Sequence, residues 1–117
     1  MSFESALEDP KRRIGFVLGA GIGCIDLDHC LIDGHLSEGA AEILSVLPAT
    51  WVEVSPSGDG LHIWGRFSKS GRSVGTFMGQ SVEIYSDGGR YITVTGQRFK
   101  DAPVVLADLG GVVNELI

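Results

Sequence analysis

Over much of this chain apolar and polar residues alternate with a period of two. Ile25 and Leu27 alternate with Asp26 and Asp28, Val52 and Val54 with Glu53 and Ser55, and Leu61 and Ile63 with His62. Further on, Val82 and Ile84 flank Glu83, and Ile92 and Val94 alternate with Thr93 and Thr95. That period sends successive side chains to opposite faces of a strand, so strands are expected at 22–28, 51–55, 61–66, 81–85 and 91–95. The apolar run at 14–18 reads as a buried strand before a turn at Gly19, Ala20 and Gly21. Strands 51–55 and 61–66 are expected to pair as a hairpin across Pro56-Ser57-Gly58-Asp59-Gly60, and Ser86-Asp87-Gly88-Gly89 is a good turn sequence between the last two strands.

Helical signals are fewer. Residues 2–9 form a short candidate stopped by Pro10. After a polar loop following Asp28, Ser37 is placed to cap a helix whose apolar stripe is Ala40, Ala41, Ile43, Leu44 and Leu47 and which ends at Pro48. A closing helix is expected at 105–117, across the unfavourable pair Gly110-Gly111. The Gly/Ser-rich stretch 67–79 reads as a long surface loop. With no internal repeat and no linker, the pattern is α+β: a mixed or mostly antiparallel sheet with helices packed on its apolar face.

At 117 residues and 44% hydrophobic content, the chain suffices for one core and is short for two, so residues 1–117 are read as a single domain. It contains no run of about 20 apolar residues and opens with the polar Ser2-Phe3-Glu4-Ser5, so no membrane partner and a cytoplasmic location are expected. Cys24 and Cys30 match neither zinc-knuckle nor CxxC spacing and are read as reduced packing residues. A net charge of -6 disfavours a nucleic-acid coat protein, since duplex affinity comes mainly from neutralising phosphates, yet it suits a site that holds cations. Two basic clusters, Lys11-Arg12-Arg13 and Arg66 with Lys69 and Arg72, are open to reading as a solvated face or as nucleic-acid contacts.

The polar parity carries the chemistry. Asp26 and Asp28 point the same way from one strand and repel each other unless a cation lies between them. The calcium loop of EF-hands does not fit, because Cys30 and Leu31 fall where that loop needs a ligand and a glycine. The haloacid dehalogenase pattern also fails, because His29-Cys30 stands where a Gly-Thr turn belongs. Ser55, Ser57, Gly58 and Gly60 make a turn whose amides can surround an anion, with His62 opening the next strand; a plain hairpin explains the glycines equally well but not His62 on the polar face. Glu83 completes a set of three carboxylates. Arg90, ahead of Thr93, is suited either to phosphate or sugar or to neutralising Glu83 or Asp87.

Four segments in order, Ile25-Asp26-Leu27-Asp28-His29-Cys30, Glu53-Val54-Ser55-Pro56-Ser57-Gly58-Asp59-Gly60-Leu61-His62, Val82-Glu83-Ile84-Tyr85 and Arg90-Tyr91-Ile92-Thr93-Val94-Thr95-Gly96, resemble the archaeo-eukaryotic primase superfamily. The likeness is to the primase-polymerase domains of phage and plasmid replication proteins and covers residues 14–97. It implies an RRM-like catalytic core whose N-terminal module is short or missing. By resemblance, Asp26, Asp28 and Glu83 hold catalytic Mg2+ or Mn2+, and His62 contacts the phosphates of the incoming nucleotide. Ser55, Ser57, Gly58, Gly60, Arg90 and Thr93 complete the nucleotide site.

The implied activity is DNA primase/polymerase chemistry: two-metal nucleotidyl transfer from nucleoside triphosphates onto a primer or initiating nucleotide, on single-stranded or primed DNA. The implied partners are a replicative helicase or a second primase chain, and the implied place is the host cytoplasm if the chain is phage-encoded. The rival from another class is an inactive or split primase-like domain that binds nucleotide, metal or a replication partner. A metal-dependent nuclease uses the same acids but gives no reason for the Ser-Gly-Asp-Gly turn leading to His62.

Overall fold

The computed structural model describes residues 14–17, 21–68, 72–86 and 91–116. The expected helix at 2–9, the Lys11-Arg12-Arg13 cluster, Lys69, the turn at Asp87-Gly88-Gly89 and Arg90 lie outside the described residues. Among the described residues nine strands and two helices follow one another: β1 (Ile14–Val17), β2 (Ile22–Leu27), β3 (Leu31–Ile32), β4 (His35–Leu36), α1 (Glu38–Val46), β5 (Val52–Val54), β6 (Leu61–Arg66), β7 (Arg72–Phe77), β8 (Gln80–Tyr85), β9 (Tyr91–Val94) and α2 (Gly110–Leu116). Five of them form an antiparallel sheet in the order β5-β6-β2-β8-β7, with β2 at its centre. β1 and β9 pair as a separate antiparallel ribbon, and β3 and β4 as a two-residue hairpin. The fold class is α+β, as the alternation implies.

Residues directly opposite each other in antiparallel strands share a face, so the register sorts the side chains. Rows built from Val52, Ile63, Ile25 and Ile84, and from Val54, Leu61, Leu27 and Val82, lie on one side. They pack with Ala40 and Ile43 of α1, Val113 of α2 and Leu109 to form the main core. Burying an aliphatic side chain of this size contributes about 1.5–3 kcal/mol each, which is why the register is fixed: a one-residue slip would expose the whole set. The opposite side also holds an apolar patch that the alternation does not reveal. Cys24, Trp64 and Tyr85 stand in one row there, covered by Trp51 and by Ile92 and Val94 of β9.

Helix α1 begins as the sequence implies, with the Ser37 hydroxyl accepting from the Ala40 amide at 3.1 Å. Three expectations need correction. Residues 67–79 are not one long loop, because 72–77 form edge strand β7, paired along its length with β8. Met78 and Gly79, at φ 50° and 79°, make the two-residue turn that brings Phe77 opposite Gln80. Positive φ at both central residues matches the twist of the strands, and Met-Gly is a less familiar way to write it than Asn-Gly. The polar loop after Asp28 likewise contains the β3–β4 hairpin, turned by Asp33 and Gly34 at φ 51° and 78°.

The closing helix starts at Gly110, not at residue 105. Residues 105–109 instead run alongside the sheet: the Trp51 amide donates to the Val105 carbonyl, the Arg66 amide to that of Ala107, and the Leu109 amide to that of Arg66. Paired this way, their backbone groups have no need of helical partners. The helix opens with the Gly110 amide donating to Asp108 Oδ1 at 2.9 Å.

Candidate active site

One row of the sheet concentrates ionisable groups. Glu53 of β5 stands opposite His62 of β6, His62 opposite Asp26 of β2, Asp26 opposite Glu83 of β8, and Glu83 opposite Val74 of β7. The four ionisable residues occupy the face away from the helices, because their neighbours at ±1 in each strand build the main core, and Val74 shares that face through its register with Glu83. The row thus joins Asp26, His62 and Glu83, three of the four residues expected to carry the reaction.

Burial grades this row. Glu53 is fully buried, the His62 side chain is 7% exposed and that of Asp26 28%. His62 Nδ1 lies 3.1 Å from the Thr93 carbonyl oxygen and 3.4 Å from Glu53 Oε2, while Nε2 lies 3.8 Å from Asp26 Oδ1. A carbonyl oxygen only accepts, so Nδ1 carries a hydrogen and Nε2 is the atom turned toward the acids. The Asp26 carboxyl is held above its ordinary range, chiefly by burial; His62 opposes the shift, and Asp28 and Glu83 add to it. Three carboxylates offer hard oxygen donors of the kind that divalent cations prefer. Glu83 accepts a hydrogen bond from the Tyr85 hydroxyl two residues along the same strand.

Asp28 lies just past the end of β2, in a turn, with its side chain half exposed. It joins a second group rather than the row itself. His29, at φ 51°, places Nδ1 2.6 Å from Asp59 Oδ2 and Nε2 3.6 Å from Asp28 Oδ2. The Ser57 hydroxyl donates to Asp59 Oδ1 at 2.7 Å and lies 2.9 Å from the Ser55 hydroxyl. The hydrogen bond to Asp59 pushes the His29 imidazole up, and the same bond draws the Asp59 carboxyl down. Both groups are open to solvent, so the pair is screened. Among the described residues, Asp28, His29 and Asp59 are the three whose ligand atoms lie within 4.8 Å of one another.

The turn at 55–60 is built to a tight tolerance. The Ser55 amide donates to the Gly60 carbonyl at 2.9 Å, and the Gly58 amide to the Ser55 carbonyl at 3.0 Å. Gly58 sits at φ 86°, and a Cβ on Gly60 would come within 2.8 Å of both the Leu27 carbonyl oxygen and Ser55 Oγ. The Leu31 amide donates to the Asp59 carbonyl, which ties the turn to the loop after Asp28. Thr93 meets His62 through its main chain, a contact the sequence does not specify.

Three residues bonded into this region escaped the sequence reading. Glu53 carried one available signal, a carboxylate sharing the parity of His62 across the expected hairpin. Gln80 is buried and links three elements: its amide donates to the Asp28 carbonyl at 2.6 Å, and its Oε1 accepts from the Ser37 hydroxyl at 2.6 Å. Nothing in the sequence marks it, because its partners come from a different part of the chain. Tyr85, by contrast, sits two residues from Glu83 and shares its side of the strand. Cys24 and Cys30 are free and buried, and burial pushes the Cys30 thiol up to about 11, as expected of packing residues.

The chain is 37% identical over 93 residues, 74% of its length, to a DNA primase-polymerase of Nitratiruptor phage NrS-1. It is related to a phage primase-polymerase. The matching stretch spans 13% of that protein's length. No protein-family model matches the chain. No helix among the described residues is long and apolar enough to cross a membrane.

Proposed function

We propose that this chain is a DNA primase/polymerase core, a single catalytic domain that transfers nucleotides from nucleoside triphosphates onto a primer or initiating nucleotide. The observation that carries this reading is the register that sets His62, Asp26 and Glu83 side by side on the face away from the helices. The relative's printed name supports the same chemistry.

In this reading Asp26, Asp28 and Glu83 hold Mg2+ or Mn2+, whose preference for hard oxygen donors fits three carboxylates. Bound there, two such ions would supply Lewis-acid stabilisation of the triphosphate and of the departing pyrophosphate. The residues of the chain do the rest. His62 reaches the phosphates as an imidazolium that donates from Nε2–H, since Nδ1–H is committed to the Thr93 carbonyl. Ser55, Ser57, Gly58 and Gly60 form the turn that lies beside the triphosphate, and Gly60 keeps it pressed against the end of β2. Arg90 and Thr93 complete the nucleotide site, single-stranded or primed DNA is the template, and a replicative helicase or a second primase chain is the protein partner, in the cytoplasm of the host cell.

The test is manganese-dependent incorporation of labelled nucleotides on single-stranded and primed DNA, with the Asp26→Ala/Asp28→Ala variant alongside. Product that disappears in the variant is the expected result. If neither protein yields product, triphosphate titration with and without manganese decides whether the chain is a nucleotide-binding primase-like domain without turnover.

A further inference from the structure

The reading above leaves the buried carboxylate of Glu53 without a task. Glu53 is completely buried, and hydrogen donors face both of its carboxylate oxygens. Oε1 accepts from Trp51 Nε1 at 2.9 Å and from the Gly96 amide at 3.2 Å. Oε2 accepts from the Thr95 amide at 2.9 Å and lies 3.4 Å from His62 Nδ1. Only a group that accepts at both ends satisfies this setting, and among uncharged isosteres there is none: a glutamine would press its NH2 against an N–H whichever way it turned.

His62 is held from three sides. Its Nδ1 faces two acceptors, the Thr93 carbonyl oxygen at 3.1 Å and Glu53 Oε2 at 3.4 Å. Trp64 meets the ring edge-on, with centroids 6.3 Å apart and planes at 80°. Rotating the imidazole by 180° would replace the Nδ1 hydrogen with a carbon-bound one against both acceptors and would turn Nε2 away from Asp26.

We infer that Glu53 is a positioning residue for His62: together with the Thr93 carbonyl it selects the ring orientation in which Nδ1–H points inward and Nε2–H of the imidazolium is presented to the triphosphate. This rests on the reading of His62 as the phosphate contact. Three main-chain or indole donors fix the carboxylate, and the carboxylate in turn fixes the ring, as outer partners orient functional histidines elsewhere.

The experiment is a long-range 1H–15N correlation of the His62 ring in the uniformly labelled full chain, with inorganic tripolyphosphate as the binding probe. The expected wild-type spectrum has hydrogen on Nδ1; a bare Nδ1 overturns the inference. In Glu53→Gln the Nδ1 resonance is expected to move or broaden and tripolyphosphate affinity to fall about tenfold, the low end of the loss on removing an orienting partner. Unmoved ring resonances in a folded Glu53→Gln protein overturn it. Should that variant not fold, Trp51→Phe removes one of the donors on Oε1 and keeps the charge, and the same shift is expected there, with an unmoved signal again decisive against it. The phosphate reading fails separately, if His62→Ala binds tripolyphosphate as wild type does while the ring still responds to Glu53→Gln.

Discussion

Two networks of the same composition, a carboxylate, an imidazole and a second carboxylate, lie on either side of the end of β2. In one, His62 stands between Glu53 and Asp26, with side chains 7%, 0% and 28% exposed. In the other, His29 stands between Asp59 and Asp28, with side chains 74%, 41% and 50% exposed. The exposed network has the shorter contact, 2.6 Å against 3.4 Å. Distance is nevertheless the poorer guide to energetic weight. Water and salt screen the outer pair, whereas Glu53 and His62 have lost most of their hydration and depend on their protein partners. The inner network is therefore a fixed part of the architecture, and the outer one a polar rim that ties the turn at 55–60 to the loop after Asp28.

The sharpest way to break this contrast is to remove the buried carboxylate. Glu53→Leu strands the Trp51 indole and the Thr95 and Gly96 amides, and a loss of about 3–5 kcal/mol is expected in urea unfolding. Measured against a typical total of about 5–15 kcal/mol, that consumes much of the stability of the chain. A loss below about 1 kcal/mol would show that water reaches the site and that burial does not distinguish the two networks.

Next comes the joint between them. Gly60→Ala drives a Cβ to 2.8 Å from the Leu27 carbonyl oxygen, a main-chain atom in the central strand that cannot swing aside. The expected cost is about 1–3 kcal/mol, with weakened triphosphate binding, read by unfolding and by calorimetric titration.

Asp26 sharpens the comparison through pH. Its folded carboxyl titrates above the ordinary 3.8, mainly because it is buried. The folded state therefore binds the proton more tightly than the unfolded chain, and the stability this contributes is present below about pH 3.8 and lost as pH rises through the folded value. Asp26→Asn is expected to be more stable than wild type at pH 7 without divalent cations, with the gap closing on acidification and on adding manganese to the wild type. A gap that widens on acidification would contradict the assigned direction.

The smallest effect belongs to the outer network. For His29→Ala the unfolding midpoint is expected to stay within experimental error at physiological salt. Any difference that does emerge at low salt should be lost at the alkaline end, as pH rises through the elevated His29 value, and at the acid end, as it falls through the depressed Asp59 value. A large change at physiological salt would mean that this rim is as structural as the inner network.

Much of this was legible in advance for local reasons. Alternation fixed the parity of Asp26, His62 and Glu83, and Ser37 marked the start of α1 because a cap acts on its own first turn. β7 was hidden because its turn is written Met78-Gly79 and the glycines in and around it resemble those of a loop. The stretch 105–109 was mistaken for helix because its backbone partners, around Thr50 and Arg66, lie far away in sequence. Glu53 looked like any strand-face carboxylate until Thr95 and Gly96, reached across another element, closed around it.

By itself the sequence determined which side chains share a face and which residue types can bind cations and phosphate, because both follow from the covalent period of a strand and from side-chain chemistry. Which of those residues stand in one row was decided only by the tertiary structure. Rows are set by strand order and register, and these depend on how the two cores pack and how each turn closes. That packing put Glu53 under His62, set Asp26 between His62 and Glu83, and left Asp28 with His29 and Asp59 at the rim.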